Sequence, residues 1–182
     1  MILALLLSAM LASTSAGTGT LQDFGPAPEL RDISGWINSK PLAISRQRGK
    51  VVLLKFWTFS CVNCVHTLPA TQQWYDRFHA QGLEIIAVHT PELPDERVPA
   101  NIARAVQQRN ITYPVALDPK FATWNAYRNH YWPALYLIDA RGHIRYTHIG
   151  EGAYAETEQA IRRLLRERKP QPEPPPHGIL PR

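Results

Sequence analysis

The sequence predicts an α/β protein in which helices flank a mixed β-sheet. Short apolar runs typical of buried strands alternate with segments of helical periodicity, a pattern that favours strands connected through helices. The series ends with two strands joined by a glycine-containing turn and then an amphipathic helix, which adds an antiparallel pair to the sheet. The 182 residues are enough for one domain with one hydrophobic core.

Each element has its own local signal. The strands are runs rich in β-branched and other apolar residues, whereas the helices carry apolar residues at every third or fourth position. The predicted strands are "PLAIS" (41–45), "KVVLLKFW" (50–57), "LEIIAVHT" (83–90), "ITYPVALD" (111–118), "ALYLIDA" (134–140) and "IRYTHIG" (144–150). The predicted helices are 63–81, which Gly82 ends, 97–109, 120–127 and 156–168.

Three segments of the chain differ in character. Residues 1–22 carry no charged side chain and change from strongly apolar to small residues, which is typical of a signal peptide or of an uncleaved N-terminal anchor. They predict an exported protein, located in the periplasm or elsewhere outside the cytoplasm. Residues 23–168 are predicted to form the domain, and the proline-rich residues 169–182 a mobile tail.

The charge pattern does not indicate a nucleic-acid partner. The formal net charge is +5, but the 20 basic residues are interspersed with 15 acidic ones. The densest basic stretch, "RRLLRERK" (162–169), has leucines at helical spacing, which is typical of the solvated face of a helix. We therefore predict that the protein does not bind nucleic acid.

The motif "FWTFSCVNCVHTLP" (56–69) contains the two cysteines of the chain, Cys61 and Cys64. A buried strand is predicted to end just before Cys61 and a helix to begin just after it, so unpaired backbone N–H groups can stabilise a thiolate there. Cys64 follows one helical turn later, within bonding distance. The pair therefore predicts thiol–disulfide exchange, with Cys61 as the catalytic nucleophile and Cys64 as the catalytic residue that resolves the mixed disulfide, so that the pair alternates between a redox-active disulfide and a dithiol.

Other cysteine chemistries fit less well. A disulfide across two residues closes too small a loop to stabilise the fold. Covalent haem attachment requires histidine directly after the second cysteine, and a zinc site requires further ligands with suitable spacing. Copper(I) binding by Cys61 and Cys64, with His66 as a further ligand, remains an alternative that would make the protein a metallochaperone, although His66 is better interpreted as an exposed helix residue. We otherwise predict no metal and no cofactor.

Several motifs taken in order resemble a known family. The segments "FWTFSCVNC" with Pro69, "HTPE", "ITYPVALD", "ATWNAY" and "YWPALYLIDARGHIRY" resemble the TlpA-like redoxins, most closely the exported thioredoxin-like domain of DipZ-type proteins. The resemblance covers residues 24–165. It implies a thioredoxin-like fold with a strand–helix insertion before a cis-proline loop, and it makes Trp132–Pro133 the cis bond. Pro133 would then present backbone to a substrate chain and Trp132 would contact it.

The resemblance also implies an activity and partners. It implies a protein thiol-disulfide oxidoreductase that exchanges the Cys61–Cys64 disulfide or dithiol with cysteines of substrate proteins. We favour reduction of the substrate, and oxidation of substrate thiols by the same two residues stays open as the reverse direction. A separate electron donor, such as a membrane thiol transporter, would then be required.

One residue departs from the pattern. Six residues before Cys61, where thioredoxins carry a buried acid, this chain has Lys55. Burial could lower the pKa of Lys55 until the amine acts as a base, or a charged Lys55 could stabilise a Cys64 thiolate. A lysine at a sheet edge with its head in solvent is the third interpretation.

Overall fold

Six strands form one mixed sheet in the described part of the chain, residues 20–168 of the computed structural model. The strands are β1 (Gly35–Ile37), β2 (Val51–Trp57), β3 (Leu83–His89), β4 (Val115–Leu117), β5 (Ala134–Ile138) and β6 (Ile144–Ile149), in the spatial order β1-β4-β3-β2-β5-β6. β2, β3 and β4 pair in parallel, and the other pairs are antiparallel. The predicted signal or anchor segment, except its last three residues, and the predicted tail lie outside the described residues.

Five α-helices cover the two faces of the sheet in this part of the chain: α1 (Val62–His66), α2 (Leu68–Phe78), α3 (Pro99–Gln108), α4 (Ala122–Ala126) and α5 (Tyr154–Glu167). Alternate residues of β2 belong to two hydrophobic clusters, one on each face of the sheet. Leu53 and Trp57 pack with α2, α3 and α5, whereas Leu54 and Phe56 pack with α4 and the N-terminal segment. The predicted mixed α/β sheet with flanking helices is confirmed, and β4 with α4 lies before the loop that leads into β5.

The first strand is not where the sequence predicted it. Residues Ile44–Gln47, within and after the predicted "PLAIS" strand, form a 3₁₀ turn, and the strand is β1 instead. The reason is a contact distant in sequence: the Glu29 carboxylate accepts hydrogen bonds from the backbone N–H groups of Ile44 (2.6 Å) and Ser45 (3.0 Å). These donors cannot then join a β ladder.

The predicted helix 63–81 is divided into α1 and α2. Thr67 separates the two helices, and Pro69 lies in the first turn of α2, where a missing N–H is tolerated. The Thr67 hydroxyl donates to the Cys64 carbonyl oxygen (2.7 Å), and the Thr71 hydroxyl donates to the Thr67 carbonyl oxygen (2.8 Å). The short helix that carries the second cysteine is therefore anchored by side chains at the junction.

Candidate functional site

The two cysteines lie side by side where β2 ends. Cys61 is the N-cap residue of α1, and its Sγ accepts a hydrogen bond from the backbone N–H of Cys64 at 3.2 Å. Both residues are free thiols. Cys61 is half-buried, whereas Cys64 has an exposed fraction of 0%. A substrate can therefore reach Cys61 directly, while Cys64 is shielded.

The environment of Cys64 favours its protonated form. Burial raises the pKa of the Cys64 thiol well above its ordinary value, and the neighbouring Cys61 raises it further. A backbone hydrogen bond at Thr58 and the charge of Lys55 act in the opposite direction. Cys64 is consequently a thiol at neutral pH.

Lys55 lies in the interior, so the interpretation as a sheet-edge lysine is wrong. β2 is a central strand between β3 and β5, and the exposed fraction of Lys55 is 2%. Its Nζ donates to Thr71 Oγ1 at 3.0 Å. Burial lowers the pKa of Lys55 from 10.5 to about 7, although thiolate charge on Cys64 and Cys61 would raise it. Lys55 can thus change its charge near neutral pH.

A small internal cavity adjoins Lys55. Its volume is about 10 Å³, close to the space needed by one water molecule. Thr71 and Pro133 line it together with Lys55, and the half-buried His148 contributes to its wall. The Pro133 carbonyl oxygen accepts a hydrogen bond from the backbone N–H of Gly150 at 2.8 Å. Pro133 therefore lies beside Lys55 and below the surface.

An open groove of about 460 Å³ lies beside Cys61 on the surface. It is lined by Cys61, Val62, Asn63, Glu92, His130, Tyr131 and Trp132. Trp132 packs against Trp124, with ring centroids 4.1 Å apart, and its Nε1 donates to the Thr90 carbonyl oxygen at 3.0 Å. The Trp132–Pro133 peptide bond is cis. The structure thus brings Trp132 next to Cys61 in one groove, whereas Pro133 borders the internal cavity.

Comparison with known proteins identifies the family. Residues 25–147 match the model of the AhpC/TSA family. The chain belongs to the AhpC/TSA family. The protein DipZ of Mycobacterium tuberculosis is 46% identical over 166 residues, which are 90% of this chain but 24% of DipZ. The chain therefore spans about a quarter of the length of that relative.

Two further proteins of similar size match most of their own length. The thiol-disulfide oxidoreductase YkuV of Bacillus subtilis is 30% identical over 78% of this chain and 95% of YkuV. The crystal structure of a thiol-disulfide isomerase from Corynebacterium glutamicum is 27% identical, covers 76% of this chain and 96% of its own, and superimposes with a TM-score of 0.69. The predicted resemblance and the thioredoxin-like fold are confirmed. The names of these two proteins describe a thiol-disulfide oxidoreductase and a thiol-disulfide isomerase.

A buried polar residue next to the cysteine motif of this AhpC/TSA protein was not predicted from the sequence. Glu96 has an exposed fraction of 1%, and its carboxylate accepts hydrogen bonds from Ser60. Its one sequence signal is the order proline, aspartate, glutamate at 94–96, which is typical of the start of a helical turn. That signal predicts a local turn and says nothing of the contact with Ser60.

Of two histidines near the cysteine pair of this AhpC/TSA protein, His89 is buried and His66 is exposed. Burial lowers the pKa of His89 to about 4, so its ring is neutral at physiological pH. Its Nε2 lies 3.3 Å from Thr58 Oγ1, and the ring stacks on Phe59. His66 is exposed, as predicted, and its Nδ1 lies 3.1 Å from a carboxylate oxygen of Glu151.

Proposed function

We propose that this protein exchanges disulfides with substrate proteins, with Cys61 as the attacking residue and Cys64 as the resolving residue. One observation supports this division of roles. Cys61 is half-buried at the start of a helix and lines an open groove, whereas Cys64 is fully buried one turn further on. A buried sulfur cannot meet a protein substrate first, but it can attack a disulfide formed on its neighbour.

In the reducing direction the reaction has two steps. The Cys61 thiolate attacks one sulfur of the substrate disulfide, forming a mixed disulfide and releasing the other sulfur as a thiolate that takes up a proton. Cys64 then loses its proton and attacks Cys61 Sγ, so that the second substrate sulfur leaves as a thiol. The substrate gains two electrons, and Cys61 and Cys64 become a disulfide.

Lys55 lowers the free-energy cost of deprotonating Cys64 in the second step. Burial opposes ionisation of Cys64, and a neutral Lys55 amine near pH 7 can take up the proton that Cys64 must lose. Once protonated, the ammonium group favours the resulting thiolate by charge attraction. His148 lines the same small cavity as Lys55.

The groove beside Cys61 is the proposed substrate-binding surface. Trp132 lines it, and the neighbouring Pro133 continues the same loop into the interior. Val62 and Tyr131, which are 64% and 62% exposed, give this groove an apolar rim. Such a rim suits a polypeptide that carries apolar side chains near its cysteine.

The direction, location and partners are also part of the proposal. We infer that the protein acts as a reductant on substrate proteins and receives electrons from a separate donor, such as a membrane thiol transporter. Export from the cytoplasm, with or without retention as an anchor, rests on the uncharged apolar residues 1–22. Within residues 20–168, no helix has both the length and the apolar character to cross a membrane.

The reduction potential of the Cys61–Cys64 pair tests the direction. We expect a value of roughly −270 mV, in the range of reducing thioredoxins, because this range lets the dithiol reduce protein disulfides. The protein is equilibrated with thiol redox buffers, and the reduced fraction is measured by alkylation and mass spectrometry. A value near about −120 mV would instead make the protein a thiol oxidase, using the same two residues.

Copper(I) binding by the same pair is the alternative function. Two reduced cysteines one helical turn apart suit a soft monovalent ion. Among residues 20–168, no three or more His, Cys, Asp or Glu side chains are grouped so as to hold a metal ion. We expect a copper(I) chelator to outcompete the protein. Tight binding of one ion per chain that is lost on alkylation of Cys61 would favour the metallochaperone.

A further inference from the structure

Glu96 joins two segments that line the groove beside Cys61. It is buried in the 3₁₀ turn that follows β3, and one carboxylate oxygen accepts hydrogen bonds from the backbone N–H (3.2 Å) and the hydroxyl (2.5 Å) of Ser60. The other oxygen accepts from the backbone N–H groups of Glu92 (2.6 Å) and Leu93 (2.9 Å). Ser60 directly precedes Cys61, and Glu92 lines the groove. One side chain therefore contacts both segments.

The carboxylate is held by neutral donors. Burial raises the pKa of Glu96, but the hydrogen bonds from Ser60, Thr58 and the turn amides lower it by more, so the group is ionised at neutral pH. The neighbouring His89 is neutral at that pH. Moving either segment would leave a buried negative charge with fewer donors, which is costly. The distance between the two segments is therefore strongly constrained.

The 130–132 loop also lines the groove, and it is hydrogen-bonded to the segment that contains Glu96. Trp132 donates its indole N–H to the carbonyl oxygen of Thr90, two residues before Glu92. The segment 90–96 consequently contacts the cysteine loop through Glu96 and the 130–132 loop through Thr90. Displacement of this segment would change the shape of the groove but would leave the Cys61 Sγ contact with Cys64, which lies within α1 and its cap.

We propose that Glu96 is a positioning residue that holds the groove in the shape needed by a polypeptide substrate. This inference rests on the proposed function and adds a residue that selects between substrate sizes. A polypeptide disulfide has to lie in the groove while it reacts, so a preformed groove lowers the ordering cost of binding. A small disulfide reaches Cys61 without filling the groove and does not depend on Glu96.

The test compares two substrates across four variants. The variants are Glu96→Ala, Glu96→Gln, Ser60→Ala and, as a matched control, Asp95→Asn, which changes the adjacent exposed acid of the same turn. Rates of the pre-reduced proteins are measured with a disulfide-bonded peptide and with hydroxyethyl disulfide, and folding is checked by circular dichroism and thermal melting.

We expect Glu96→Ala to lower the single-turnover rate constant for the peptide about tenfold at low peptide concentration, mainly by raising the half-saturating peptide concentration. Without the hydrogen bonds of Glu96 the groove has to be ordered when the peptide binds, and a tenfold loss of affinity corresponds to about 1.4 kcal/mol. Glu96→Gln keeps one acceptor oxygen for Ser60, but its amide NH2 group cannot accept from either turn amide, so we expect an intermediate loss. The rate with hydroxyethyl disulfide should stay within about twofold for every variant, and Asp95→Asn should behave as the wild type with both substrates.

Two results would overturn the inference: equal losses with both substrates in the folded variants, or no loss with the peptide. If Glu96→Ala does not fold, Glu96→Gln and Ser60→Ala decide the outcome by the same criterion. The proposed function fails in a different way, because the wild-type protein would then react with neither disulfide.

Discussion

Cys61→Ser is expected to reduce the rate of insulin disulfide reduction at least about a hundredfold, because serine at this position cannot form the mixed disulfide. Cys64→Ser is expected to abolish repeated turnover as well, but it should still react once. Cys61 still lines the open groove in that variant and can attack the substrate. Because no second sulfur lies next to it to release the substrate, the mixed disulfide accumulates. The two substitutions therefore give different products although both stop catalysis.

Non-reducing gels and intact mass spectrometry distinguish these products. The Cys64→Ser protein should gain the mass of one substrate chain, and that gain should disappear after treatment with dithiothreitol. The Cys61→Ser protein should show no such adduct. An adduct on Cys64 in the Cys61→Ser protein, or repeated turnover by either variant, would contradict the assignment of roles.

Lys55→Met is expected to stabilise the reduced protein at pH 6 by several kcal/mol. The wild-type chain has to bury a charged ammonium group at that pH, and methionine fills the same space without charge. The advantage should shrink as the pH rises above 7, because the buried amine of the wild type then loses its proton. Its pKa is about 7 in the folded protein and 10.5 in the unfolded chain.

The sign of the pH dependence follows from proton counting. Between pH 7 and 10.5 the unfolded chain holds the Lys55 proton and the folded chain does not, so the free energy of unfolding of the wild type rises with pH. The difference between Lys55→Met and the wild type should therefore fall by about 1.4 kcal/mol per pH unit above 7. Urea unfolding at pH 6, 7.5 and 9 measures it.

Lys40→Met is the control for this series, because Lys40 is exposed. Its effect on the free energy of unfolding should stay within about 0.5 kcal/mol at each pH. A difference between Lys55→Met and the wild type that does not change from pH 6 to 9 would show that Lys55 keeps its proton throughout this range. Lys55 could then not accept the proton of Cys64, although its charge could still stabilise a thiolate.

The elements that local patterns encode were predicted well. The apolar run of β2 and the periodicity of α5 reflect burial on both faces of a strand and on one face of a helix, and both lie close to their predicted bounds. The strand predicted at "PLAIS" failed because Glu29, about fifteen residues earlier, bonds the backbone there. The intrinsic strand propensity of residues 41–45 contains no information about a contact with Glu29.

The sequence by itself determined that Cys61 and Cys64 would be neighbours, because their spacing and the strand–helix junction are local properties of the chain. The tertiary structure decided the environment of that pair. It buried Lys55 beside Thr71, bonded Glu96 to Ser60 across 36 positions, and brought Trp132 to Thr90 across 42 positions. The physical reason is that burial, pKa and the shape of a groove depend on which distant segments the sheet brings together, and no local pattern specifies them.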